Sequence, residues 1–356
     1  MKITYIAVLD KRKNLGILKK IQGFVDSLRG QNVDINVSAI DCNGQFIRKV
    51  NLAIQNTNAD VIILRSLSYR NFHLINAFRK ARKRGTKILI DIPTPNINSI
   101  HEIYSSESSF IARIRAIFYL VVVGPFPYFF VDRIFQYAKE GTWFVLGNRS
   151  KTILLGNGIN VDSVPFIEKI GDFDGTQLRL IVVATTNYWH GIDRLIKAIA
   201  LFNSQNLNMS VYLDVVGDGP SLADLKSMVI EYCLSDYIYF HGLVEGETLY
   251  SIYRNAHVGV GSLGLHRIGL KSSSILKLRE YTSAGIPFIF SGYDSDFVGE
   301  LPFAFQVSST EDTEDICIAF RKLFDAYPNI DRNRIRLFAE KNLDFKVKAN
   351  IMLSGL

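Results

Sequence analysis

Cysteine is scarce in this chain. Cys42, Cys233 and Cys317 lie far apart with no paired spacing, which argues against a disulfide framework or a thiolate zinc site and fits a reducing compartment. Nothing at the start reads as a secretory leader. Met1–Leu9 is short, lacks a basic flank and runs into Asp10-Lys11-Arg12, so it is expected to be a first strand in a cytoplasmic protein. Long apolar runs are missing too. Ile117–Val131 comes nearest, but its 15 residues are broken by Gly124-Pro125 and Pro127, whereas a spanning helix needs about 20 apolar residues. A buried or membrane-touching segment is expected there. Repeats, low-complexity tracts and clusters with metal-ligand spacing are absent from the sequence. Asp294-Ser295-Asp296 reads as a loop, so no metal and no cofactor are expected.

What is present is apolar material, unevenly charged. Of 356 residues 48% are hydrophobic and 21% charged, enough to bury cores for two domains. Residues 1–160 carry 23 Lys and Arg against 10 Asp and Glu, a net of +13. The remaining residues carry 18 against 24, a net of −6. Such a split implies different partners for the two halves, and anionic lipid or a phosphate-bearing acceptor suits the first. Phe110–Val131 adds Arg113 and Arg115 beside Ile111, Ile114 and Ile117, a pattern of interfacial binding. The basic runs lack interleaved aromatics, which argues against nucleic acid.

Short apolar runs alternate with amphipathic stretches. Strands are expected at 3–9, 35–40, 61–64, 87–92, 133–137 and 152–155, then at 178–184, 211–216, 238–240, 258–260 and 287–290. Helices are expected between them, including 18–28, 72–83, 192–202, 221–232, 247–255 and 275–284, with a last one over 334–352. This order implies an α/β protein with parallel sheets covered on both faces. Periodicity lapses from Asn157-Gly158-Ile159 to about Leu178. The expected domains are residues 1–160 and 161–335, with a C-terminal helix over 336–356 that packs back on the first.

The segment 265–291, LHRIGLKSSSILKLREYTSAGIPFIFS, holds the candidate chemistry. Ser272, Ser273 and Ser274 precede an apolar-periodic run and are N-cap candidates. A helix starting there would turn unpaired N–H groups and a positive dipole end toward a diphosphate. Lys277 and Glu280 share a helix face. A carboxylate at 280 could accept both hydroxyls of a ribose, while Arg267 and Lys277 could neutralise a departing diphosphate. A surface helix with an internal Lys–Glu pair accounts for the same residues, and the segment alone does not decide between the two.

Further pieces are Asn157-Gly158-Ile159, Trp189-His190-Gly191-Ile192-Asp193-Arg194, Val216-Gly217-Asp218-Gly219-Pro220, Phe240-His241-Gly242, Leu276–Tyr281 and Ala284-Gly285-Ile286-Pro287. In this order they resemble the glycosyltransferase family 4 enzymes of bacterial polysaccharide synthesis. The resemblance implies the GT-B fold, two Rossmann-like domains with parallel sheets facing a central cleft. It makes Glu280 the second glutamate of the family's E-x7-E motif, the one that holds the donor ribose. The first would fall at Ser272, which is not acidic. The family's Gly-Arg…Lys-Gly clamp is replaced by Ala184 or Thr185 and by His190. The diphosphate charge then falls to Arg267 and Lys277, with His190 as a hydrogen-bond donor or third cation. A longer loop than the usual family form carries His266 into the same region. Gly217, Gly219, His241 and Gly242 are expected beside the donor, although strand-end turns explain them equally well. On the acceptor side the looser match gives Gly16, Asp91 and Thr94.

The resemblance thus implies a retaining, metal-independent transferase that takes a nucleotide sugar and passes the sugar to a saccharide, in particular a lipid-linked one at the inner membrane surface. No carboxylate pair stands out for double displacement, so front-face displacement is the expected route. Two other readings remain open: a catalytically silent partner of another transferase, and a sugar-nucleotide epimerase.

Overall fold

A computed structural model describes residues 1–10, 15–93, 95–104, 109–145, 147–168, 173–205 and 208–354. The chain divides into two compact units. One comprises Met1–Ile159 with Phe345–Leu356, and the other Asn160–Asp344. Each is built on a six-stranded, wholly parallel sheet.

The first unit contains β1 (Lys2–Val8), α1 (Leu15–Arg29), β2 (Asp34–Ile40), α2 (Phe46–Asn56), β3 (Val61–Arg65), α3 (Ile75–Lys83) and β4 (Lys87–Ile92). It continues with α4 (Asn96–Tyr104), α5 (Phe110–Phe118), β5 (Arg133–Gln136) and β6 (Thr152–Leu154). The strand order is β2-β1-β3-β4-β5-β6. Continuous apolar runs such as Val61–Leu64 suit strands buried on both faces. On one face Ile21, Phe24, Val25 and Leu28 of α1 pack with Ile3 and Leu89, while Val50, Ile54 and Phe78 cover the other.

The second unit contains β7 (Gln177–Val183), α6 (Ile192–Gln205), β8 (Ser210–Val216), α7 (Leu222–Glu231), β9 (Ile238–Gly242), α8 (Gly246–Tyr253) and β10 (Val258–Val260). After these come α9 (Leu276–Ala284), β11 (Phe288–Ser291), β12 (Ala304–Val307), α10 (Glu314–Ala326) and α11 (Arg332–Asn342). Its order is β12-β11-β10-β7-β8-β9, so the strand order reverses between β7 and β10. Open parallel sheets bind ligands beyond the carboxyl ends of the strands at such a point.

Three expectations change. The last helix is two, because Leu343-Asp344 interrupts it and α12 (Phe345–Leu353) belongs to the first unit. There Phe345 lies where Cβ atoms on Gly23 and Gly158 would stand, at 2.4 and 2.6 Å, so Gly158 of the Asn-Gly-Ile motif makes room for that ring. Second, the helical run does not stop at Gly124-Pro125. A π turn, Tyr119–Val123, follows α5, and a 3-10 turn, Phe126–Phe130, continues it. Proline is tolerated in a first helical turn, where its missing N–H has no partner to lose. Phe110–Phe130 is therefore long and apolar enough to cross a membrane by composition, the one such helix among the described residues.

Third, α9 starts at Leu276, and its N-cap is Ile275 rather than a serine. Ser272 bridges in parallel to Tyr293, and the Ser273 N–H donates to the Tyr293 carbonyl at 2.9 Å. The serines are thus held extended by the loop after β11. The other end of α9 closes as its sequence suggests. Gly285, at φ +78°, donates to Thr282, and Ile286 donates to Tyr281 at 2.8 Å, a Schellman closure followed by Pro287.

Candidate functional site

The loops after β7, β8 and β10 meet beyond the carboxyl ends of the second sheet. Two glycines permit this. A Cβ on Gly217 would stand 1.9 Å from the Ala184 carbonyl oxygen, and one on Gly219 would stand 2.8 Å from the Thr186 nitrogen. The loops are then joined by backbone bonds from Ala184 to Val216, Thr186 to Asp218 and Ser221 to Thr186. Thr185 sits in this junction, and the Gly242 carbonyl accepts from Gly217 at 2.7 Å. Gly191, at φ +67°, brings the turn after His190 against Leu263 and Gly264, and the His190 carbonyl accepts from Leu263. The His190 Nδ1 pairs with Ser262 Oγ at 2.9 Å.

Burial pushes the His190 imidazole below its ordinary range. Burial thus favours the uncharged ring, the hydrogen-bonding one of its two expected roles.

On α9, Glu280 has both oxygens engaged: Tyr253 donates at 3.0 Å and Lys277 Nζ at 2.6 Å. Tyr253 is buried, and desolvation, then Tyr281 and Glu280, keep its phenol protonated. Four lone-pair sites on a carboxylate leave room for further donors. The helix itself is fixed by Tyr281, whose buried hydroxyl accepts from Val183 and meets the Ile181 and Val260 carbonyls, spanning the switch between β7 and β10. At its amino end Ile275 supplies no side-chain cap, and the Leu278 N–H turns back to the Ile275 carbonyl at 3.2 Å.

Arg267, expected to neutralise the diphosphate, is engaged by groups of the protein itself. Its Nε donates to Glu311; Nη1 to the Tyr188 carbonyl and Asp193; Nη2 to Asp193 and Glu311, all at 2.6–2.8 Å. All five guanidinium donors are thereby committed. These carboxylates raise its pKa further, and Arg267 in turn draws Glu311 down to about 2. His266 pairs with the same Glu311 at 2.7 Å. This pair of residues fixes the loop to α6 and to the segment before α10. Lys277 is the remaining predicted cation, and it shares its charge with Glu280.

Asp294 and Asp296 act as counter-ions inside the protein. Asp294 takes two bonds from the fully buried Arg279, and Asp296 takes one at 2.5 Å. His241 turns its ring to Asp214 at 2.6 Å. Together they line a polar depression of about 450 Å³ with Arg179 and His257, to which no residue of the loop junction contributes.

In the first unit Asp91 is the next-to-last residue of β4, buried, accepting from Tyr5 at 2.5 Å with Arg65 at 3.5 Å. Gly16 falls in the first turn of α1, and Thr94 lies outside the described residues. Tyr253, Ser262, Asp193 and Glu311 were not anticipated. Ser262 had a signal, since it lies two residues past a strand at the carboxyl edge. The other three act through pairings that only the fold reveals.

Residues 163–293 match the family model described as glycosyl transferases group 1. No curated protein matches the chain in sequence. Among solved structures, the lipopolysaccharide outer core galactosyltransferase WaaB, apo form, is similar over 100% of both chains at TM-score 0.69 and 12% identity. HepE of Anabaena (Alr3699), solved with UDP, is similar over 100% of both at 0.66 and 15%. Sucrose-phosphate synthase (tll1590) of Thermosynechococcus elongatus is similar over 99% of this chain and 97% of that one, at 0.65 and 14%. The chain therefore has the GT-B glycosyltransferase fold and carries a glycosyl transferases group 1 domain in its second unit.

Proposed function

We propose that this chain is a family 4 glycosyltransferase that takes a nucleoside diphosphate sugar in its second unit and transfers the sugar, with retention, to a saccharide acceptor bound by the first. The observation that carries the reading is Glu280, oriented by Tyr253 and Lys277 on α9, the helix that Tyr281 fixes across the switch point. In this reading Glu280 accepts the ribose hydroxyls. The positive dipole end of α9 and Lys277 stabilise the departing diphosphate, and His190 donates one neutral hydrogen bond. Stabilising the leaving group supplies most of the rate, without a metal, since Asp294 and Asp296 are already matched by Arg279. HepE was solved with UDP and with UDP-glucose, which supports a uridine nucleotide as the first donor to try. Asp91 and Gly16 belong to the acceptor side. The acceptor is a lipid-linked saccharide of a cell-surface polysaccharide, met by a cytoplasmic enzyme at the inner face of the membrane. The first unit's net charge of +15, from 25 Lys and Arg against 10 Asp and Glu, supports this.

The test is calorimetric titration with a panel of nucleotide sugars, followed by product analysis with saccharide acceptors. Selective binding lost in Glu280→Ala, and a product of retained configuration, are expected. One observation favours the silent-partner reading: the committed donors of Arg267, beside Ser272 in the place of the first glutamate. Absence of nucleotide binding in the wild type would establish that reading instead.

A further inference from the structure

The first unit exposes large apolar side chains along one segment. Phe110, Ile111 and Phe118 are 67%, 78% and 57% exposed, and Val122, Phe126 and Phe129 continue the row. Trp143 joins it: its indole N–H donates to the Val121 carbonyl at 2.7 Å, while most of the ring stays in solvent. The segment is firmly rooted. Leu120, Pro127 and Tyr128 are buried, Tyr128 within the sheet's core, and β5 follows directly. The row therefore lies on the unit's surface. Beside it, a groove of about 820 Å³ runs between α5 and the turn Ser68–Leu74. Two arginines, Arg70 and Arg115, line it, and no Asp or Glu does among the described residues. Arg70 is posed by aromatic faces, 5.5 Å from the ring centroids of Phe46 and of Tyr69, and Tyr69 stacks on Tyr119 at 6.1 Å. A guanidinium held by rings keeps its N–H fork for an anion.

We infer that this face enters the headgroup layer of an anionic membrane, with Phe110, Ile111, Phe118 and Trp143 among the acyl chains and a lipid phosphate in the groove on Arg70 and Arg115. The inference deepens the membrane reading above and depends on it for its biological sense. Charge selects the occupant. A second copy would bring a surface of the same +15 unit against this one, whereas an anionic leaflet attracts it. Aromatic side chains with a polar tip and arginines beside an apolar row suit the interface.

The test is co-sedimentation with phosphatidylcholine vesicles and with equimolar phosphatidylcholine–phosphatidylglycerol vesicles, at low and high salt. Wild type is expected to pellet with the anionic vesicles at low salt. The double variant Arg70→Ala/Arg115→Ala should lose about 30-fold in partition there, about fivefold per arginine, and change little on neutral vesicles. Ile111→Asp should weaken binding to both. Brominated lipid should quench tryptophan emission in wild type and not in Trp143→Phe. Circular dichroism and nucleotide titration of each variant separate this outcome from misfolding and from failure of the donor site. A wild type that binds nucleotide but no vesicle overturns the inference and leaves the transferase reading standing. So does unchanged binding of the double arginine variant. A dimer in sedimentation velocity that Ile111→Asp dissociates assigns the face to a second copy and overturns it as well.

Discussion

The two units use the same architecture, a parallel sheet with helices on both faces, and differ in how they place several of their arginines. In the second, Arg194, Arg267 and Arg279 face inward and are matched by carboxylates: Asp315, Asp193 with Glu311, and Asp294 with Asp296. In the first, Arg70 and Arg115 face outward along a groove of aromatic and apolar side chains that no Asp or Glu lines among the described residues. The net charges follow, −8 for the second unit and +15 for the first. The arginines named in the second unit fix loops around a site; the two named in the first line an open groove. Chain-wide charge therefore misleads, and position within each unit carries the meaning.

The comparison is broken most severely at Arg279. Arg279→Leu leaves Asp294 and Asp296 facing a low-dielectric interior without their counter-ion. A loss of about 3–5 kcal/mol is expected, read as a lowered midpoint in denaturant unfolding. An equivalent stability to wild type would show that the pair is dispensable. Glu280→Ala comes next. Losing charge-assisted bonds of about 1.5–3 kcal/mol predicts nucleotide-sugar affinity weaker by roughly 10- to 150-fold, with the unfolding midpoint nearly unchanged. Tyr253→Phe keeps the ring and removes one donor to Glu280. About fivefold weaker donor binding is expected, from about 1 kcal/mol for one hydrogen bond, and isothermal titration against the same nucleotide measures it.

The sheets were legible in the sequence because parallel strands are buried on both faces and read as unbroken apolar runs. Val61–Leu64 and Leu178–Val183 need no partner to be recognised. Ala304–Val307 escaped because it is four residues long, contains Gln306 and lies at a sheet edge. Without that strand nothing framed α10, although Ile316, Phe320, Leu323 and Phe324 carry a helical period. The motif Ala284-Gly285-Ile286-Pro287 gave a helix stop because glycine takes the left-handed residue locally. The cap of the same helix was misjudged because the serines answer to Tyr293, some twenty residues on. Arg267 shows the limit most clearly. Its residue type suits a diphosphate, but its fate is set by carboxylates 74 and 44 residues away in sequence. Those pairings exist only after folding.

The smallest expected effect sharpens the comparison at the same arginine. Glu311 is drawn from an ordinary 4.5 to about 2 by Arg267. A carboxyl depressed on folding adds stability that is present above its unfolded pKa and lost as pH falls through the folded one. The contribution is therefore complete at neutral pH, declines between about 4.5 and 2, and is gone below. With 60% of its side chain in water, the pair is heavily screened, and under about 1 kcal/mol is expected. Glu311→Gln should sit slightly below wild type in stability at pH 7, with the two curves meeting near pH 2. Salt should narrow the gap at pH 7 as acid does. If the gap instead persists at pH 2, Glu311 supports the loop by packing, and the inward arginines of the second unit hold their loops by shape as much as by charge.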